Sequence, residues 1–234
     1  MQVSDELLWR VRKYHRPAIE TLFQLFYPCI HRVAAALTGR QDVARGVVRF
    51  VIGRAFHAIP SWKDQGAPQR WFSHHTVLTT RRARKYQPDP QSDLLVQVCS
   101  EQSAGYIAFI RAIRHLPFQQ REAFLLHHGE NWGLRQLGVA MDCSTEAAGN
   151  HLRVATEALQ QVAESQLQQF IPALVAAYGK LSPAEELMLP QVRSYVARHI
   201  WPRRILRAIF SLLTLLLLAG LVYVCFWLYQ HVRL

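Results

Sequence analysis

Apolar residues recur along this chain at the three- and four-residue spacing of amphipathic helices, and nowhere with the sustained two-residue alternation of a half-buried strand. Ser4 precedes an Asp-Glu start and then Leu7, Leu8 and Val11. Pro17 opens a longer helix through Ile19, Leu22, Phe23, Phe26, Ile30, Val33 and Leu37, which Gly39 closes. Asp42 to Ile59 repeats the stripe, and after a connector at 61–68 a further helix runs from Gln69 to Gln87. Residues 88–103 begin with two prolines and read as a linker.

Past the linker the pattern predicts a helix to His115, a Leu116-Pro117 break and a helix over 118–128. A turn around Gly129–Gly133, a short helix over 134–141, a break at Asp142-Cys143-Ser144 and a longer helix from Thr145 follow. Two helices about a tight turn with a capping Ser form a helix-turn-helix, whose second helix lies in a major groove. The expected fold is all-α: a helical module over 1–87, a linker over 88–103 and a helix-turn-helix module over 104–161. A stalk and basic juxtamembrane segment over 162–207 and a transmembrane helix over 208–229 complete it. The stalk is expected to break at Pro172 and Gly179, and the segment 190–207 at Pro202.

The last element rests on Ala208 to Tyr229, where no residue is charged. As a helix those positions reach about 33 Å, enough for a hydrocarbon core of about 30 Å. Arg193, Arg198, Arg203, Arg204 and Arg207 stand before the run, and only His231 and Arg233 follow it. The positive-inside rule then predicts a single-pass tail anchor with the N-terminal body in the cytoplasm.

Charge sharpens this division. Residues 1–86 carry 15 basic and 5 acidic side chains, residues 87–192 carry 6 and 11, and residues 193–234 carry 6 and 0, which sums to the net +11. Two basic blocks predict two polyanions, nucleic acid for the first and a lipid surface for the second. Composition excludes a collagen-like, disordered or Cys-rich secreted chain. Cys29, Cys99, Cys143 and Cys225 have no zinc-site spacing and read as reduced thiols. The pairs His74-His75 and His127-His128 point about 100° apart on a helix, so neither pair chelates one metal ion, and no cofactor is expected.

Leu116 to Leu159 resembles the fourth conserved region of bacterial sigma factors. Leu116-Pro117, Arg121-Glu122, Phe124-Leu125-Leu126, Leu137-Gly138, Ser144, Leu152, Ala155 and Leu159 occupy its slots. The first module is similar to the second conserved region of the extracytoplasmic-function class of the sigma-70 family. There Leu37-Thr38-Gly39 precede an Ala44-containing helix, Arg54-Ala55-Phe56 fill an Arg-Ala-Trp slot and Trp71-Phe72 a Trp-Leu slot. The resemblance spans roughly residues 18–160.

It implies a sigma-factor-like protein of transcription initiation at a bacterial inner membrane, with core RNA polymerase and promoter DNA as partners and a membrane protein as regulator. Polymerase contact is implied for Asp42, Arg45 and Arg49, and for Trp71, Arg81, Arg82, Arg84 and Lys85 a single-stranded promoter element. Thr145, Asn150, His151 and Arg153 are implied in a more distant major groove. Departures accompany these slots. A Glu-Asp pair and a Gln are replaced by Arg45, Gly46 and Arg49, and a Thr-Val-Lys run by Ala147, Ala148 and Gly149. Leu116 to Leu159 carries 3 basic and 5 acidic residues, the wrong sign for a strong phosphate binder. A degenerate adaptor that binds a protein and not promoter DNA is therefore the second reading. No GxSxG, phosphate loop or HExxH points to an enzyme, and Glu122 and Glu130 beside His127 and His128 read as the wet face of a helix.

Overall fold

A computed structural model describes residues 3–83, 92–99 and 103–232, with side chains beyond residue 200 described at 209, 211–225 and 227. Among the described residues every regular element is a helix. In chain order these are α1 (Asp5–Arg12), α2 (Arg16–Thr38), α3 (Gln41–Ala58), α4 (Ala67–Ala83), α5 (Leu94–Gln97), α6 (Ala104–His115), α7 (Phe118–Glu130), α8 (Leu134–Met141), α9 (Thr145–Ala163), α10 (Leu167–Gly179) and α11 (Glu185–Val232).

The first module is built around α2. Its buried stripe (Ile19, Leu22, Phe23, Phe26, Ile30, Val33, Leu37) packs against α3 and α4. Phe23 meets the edge of Phe56 at 5.2 Å and of Phe72 at 6.2 Å, a geometry favoured by the ring quadrupoles. Gly39 ends α2 at φ 67°, the left-handed value that a Cβ resists. The second module places α7, α8 and α9 in mutual contact, with α6 against α9 and α10 against α7.

Three sequence expectations change. The two modules are not strung apart, because α4 packs on α8, α2 on α7, and both modules share one continuous core. The described part of the linker is a piece of that core. Asp93 is fully buried, caps α5 by accepting from the Leu95 amide, and pairs with Arg114 of α6 at 2.5 and 3.0 Å. Arg114 also donates to the Ala36 and Leu37 carbonyls at the end of α2. A prolyl segment carrying one buried carboxylate is thereby drawn inward, since an arginine this buried requires a counter-charge.

Three prolines of the C-terminal third also lie inside helices. α10 runs through Pro172 and α11 through Pro190 and Pro202. Each forfeits about one backbone hydrogen bond; in α10 the buried Leu167, Phe170, Leu174, Ala177 and Tyr178 hold the helix regardless. The chain turns at Glu164, with φ 48°, and, as expected, directly after Gly179, over residues 180–184. Ser182 does not cap the last helix: its hydroxyl accepts from Arg32, and the Ala184 carbonyl receives the first helical bond from Met188.

From 185 to 200, α11 lies against α2 and α3, while every described side chain from 211 to 225 is exposed. Among the described residues no helix is long and apolar enough to cross a membrane.

Candidate nucleic-acid interface

The helix-turn-helix forms where the residue pattern places it. α8 ends at Asp142 in a left-handed conformation (φ 61°, ψ 50°), and the Cys143 amide bonds back to the Gly138 carbonyl. Ser144 caps α9, its hydroxyl accepting from the Ala147 amide at 3.0 Å. The turn is tight enough to dictate the residue beneath it. A Cβ at Gly138 would sit 2.9 Å from the Cys143 carbonyl oxygen and 3.3 Å from the Thr145 nitrogen, both backbone atoms that cannot step aside. Leu137, Ala140, Met141, Ala148, Ala155 and Leu159 close the core between the two helices.

This leaves Thr145, Glu146, Asn150 and Arg153 exposed on the outer face of α9, with His151 half-buried. Arg153 is already engaged, donating to Asn150 Oδ1 at 2.9 Å and to Glu157 at 2.7 Å. Both partners are on the same exposed face, so a phosphate can compete for the guanidinium at small cost.

In the first module Trp71 is half-buried. It stacks on His75 at 4.0 Å and 17°, and meets Trp62 at 5.9 Å. Burial and the neighbouring His74 lower the His75 pKa, so the stack carries a neutral imidazole at neutral pH. Trp71 and Thr145 line one cleft of about 890 Å³ between α4 and the α8–α9 turn, together with Arg70, His74, His75 and Arg135. Two groups that the sequence assigns to separate stretches of promoter thus face the same space.

Arg81 departs furthest from expectation. Its guanidinium forks onto Glu122 of α7 at 2.9 and 2.7 Å and donates to the Met141 carbonyl at 2.8 Å. That pairing favours the charged arginine and ties α4 to the second module. In this arrangement Arg81 is a clasp between the two modules. Arg82 is exposed; Arg84 and Lys85 lie outside the described residues. On α3, Arg45 and Arg49 are exposed, and Asp42 forms an ion pair with Arg40 across the helix start.

A second clasp, Arg32 onto both oxygens of Glu130 at 2.9 Å, joins α2 to α7. Glu122 and Glu130, the conceivable acid/base groups, are both held as arginine partners. The adjacent His128 is pushed down to about 4 by burial and by His127. Among the described residues no group of three or more His, Cys, Asp or Glu could hold a metal ion.

Comparison with known proteins bears on the second module. Residues 106–159 match the family model described as Sigma-70, region 4. That segment is under a quarter of the chain and contains the whole of α7 and α8 and most of α6 and α9. No curated protein matches the chain significantly. The region 4-like segment supports a relation to the sigma-70 family and a DNA-binding role in transcription initiation. Sequence reasoning missed the residues that bind the region 4-like segment to the rest. Arg32, Arg81, Asp93, Glu122 and Glu130 find partners 21 to 98 positions away, and no local pattern marks such pairs. Gly138 had a visible signal, a residue without a side chain facing the helix-turn-helix bend.

Proposed function

We propose that the chain is a membrane-anchored, sigma-factor-like protein of transcription initiation, binding core RNA polymerase and promoter DNA. The observation that carries the reading is the match of residues 106–159 to sigma-70 region 4, on a stretch whose α8–turn–α9 geometry is that of a DNA-reading helix pair. Thr145, Asn150, His151 and Arg153 face the major groove, and Trp71 with Arg82, Arg84 and Lys85 meets the single-stranded element. Both cannot be engaged while Trp71 and Thr145 share one cleft. Promoter binding therefore begins with separation of α4 from α8, which releases Arg81 from Glu122 and adds it to the basic set.

The anchor is residues 208–229. Its support is the 22-residue run without a charge, the five arginines between 193 and 207, and the exposure on all sides of the leucines and valines from 212 to 224. The body is then cytoplasmic, at a bacterial inner membrane, and acts without bond-making chemistry or a cofactor of its own.

One observation favours the second reading, an adaptor that binds a protein and not DNA: α9 carries Glu146 and Glu157 against Arg153 alone. Run-off transcription with the full chain in lipid nanodiscs, core polymerase and genomic DNA separates the two. Defined starts support the first reading. Polymerase binding without starts moves the assignment to the adaptor, and no polymerase association ends the sigma-like reading.

A further inference from the structure

α2 and α3 form a groove that is occupied by the chain itself. Met188, Val192, Val196 and Ile200 recur every fourth residue on α11, and all four are buried against the bundle. The contacts beside this stripe are specific. The Tyr27 hydroxyl donates to Gln191 at 2.5 Å. The His199 ring stacks on Phe56 at 4.6 Å and 3° from parallel. That imidazole lies over Gly53 as well, its nearest atom 3.6 Å from where a Cβ would be, an ordinary van der Waals contact. Just upstream, the Leu181 carbonyl bonds to His31 at 2.8 Å and Ser182 to Arg32.

The edge of this groove on α3 matters because of what stands along it, Arg45 and Arg49 remaining exposed beside the docked segment. Arg45, Arg49, Gly53 and Phe56 stand at steps of four, four and three, one face of the helix. Tyr27 reports the same proximity from α2: its hydroxyl is held up to about 12 by burial, by Tyr195 of α11 and, in the opposite sense, by the Arg45 charge. Arg45 and Arg49 are two of the positions assigned to polymerase contact. The segment 185–200 therefore packs on α3 at the border of the face that polymerase would use, where a bound polymerase and the docked segment would compete for the same space.

We propose that residues 185–200 are an internal plug, docked in the α2–α3 groove in competition with core RNA polymerase. This rests on the polymerase reading above and adds its regulation. The plug is continuous with the proposed anchor, because α11 is one helix from Glu185 to Val232; whatever moves or cuts that rod moves the plug. Polymerase affinity of the intact chain is then reduced by the fraction of time that the groove is free.

The test uses the full chain in nanodiscs and measures core-polymerase binding together with hydrogen exchange of residues 185–200. The double substitution Val192→Asp with Val196→Asp places two charges in the groove and frees the plug. Its expected result is fast exchange in 185–200 and polymerase binding at least about tenfold tighter than for the unaltered chain. His199→Ala removes the ring from Phe56 without adding charge, so it reports on the plug if the double variant loses its helicity; an increase of about threefold is expected. Leu187→Asp, at a position 65% exposed, leaves both measurements unchanged. Equal binding by the unaltered and freed chains overturns the plug and leaves the polymerase reading standing. A freed groove that binds no polymerase overturns that reading, and the plug falls with it.

Discussion

Two seams hold the rest of the molecule onto the α2–α4 bundle, and they are made differently. The seam to the second module adds three arginine–carboxylate pairs to the shared apolar core, Arg81 on Glu122, Arg32 on Glu130, and Arg114 on Asp93 at its buried end. The seam to α11 is a row of four apolar side chains with one ring stack and a few polar contacts at its edges. An ionic seam is specific and brittle: bidentate pairs fix one register, and loss of one partner strands a charge. An apolar row yields in proportion to the surface removed and tolerates sliding. The first suits a latch with closed and open states, the second a plug that another apolar helix can displace.

The comparison breaks most severely at Arg114. Arg114→Ala strands Asp93 with no exposure to water and should cost about 3–5 kcal/mol, read as a lower denaturant midpoint. Proton uptake comes next. Burial lowers the pKa of His31 in the α11 seam, with Arg45 and Arg32 adding to the effect and the Leu181 carbonyl opposing it. His128 in the second module falls to about 4. Both bind a proton more readily unfolded than folded, so their stabilisation is complete above about pH 6.5 and is lost as the pH falls toward 4. His128 contributes on the order of 1–3 kcal/mol once its partial exposure is allowed for. A thermal melt at pH 5 should therefore lie below one at pH 7.5. A midpoint that does not move would mean that these rings bind a proton as readily in the fold as in the unfolded chain.

Val196→Ala trims the apolar row by two methyl groups and should cost about 1.5–2 kcal/mol, with faster hydrogen exchange confined to 185–200. An equal rise in exchange across α8 would show that the two seams open together. The smallest effect is a gain. Nothing lies within 4 Å of a Cβ built at Gly46, in the middle of α3, so Gly46→Ala should raise stability by up to about 1 kcal/mol. A loss there would mean that α3 must bend at that point.

The helices and their ends were legible because their causes are local. Ser4, Gly39, the Asp142–Ser144 turn and the stripes of α2, α3 and α9 lie where spacing and cap chemistry put them. Pro172 misled because the cost of a mid-helix proline is fixed, whereas the burial that offsets it in α10 depends on neighbours remote in sequence. The candidate site was legible by half. Asn150 and Arg153 stand on the outer face of α9, while the pairing of Arg81, assigned to a single-stranded promoter element, with Glu122 lies 41 positions away and left no local mark.

By itself, then, the sequence determined an all-helical chain, a helix-turn-helix of sigma-70 region 4 type and an uncharged C-terminal run, since periodicity, capping and charge act over a few residues. Only the tertiary structure decided that the two modules close on each other, that Asp93 and Arg114 bury as a pair, and that 185–200 lies in the α2–α3 groove. Those outcomes depend on which surfaces exclude water together, and contacts spanning 150 or more positions leave no trace in local spacing.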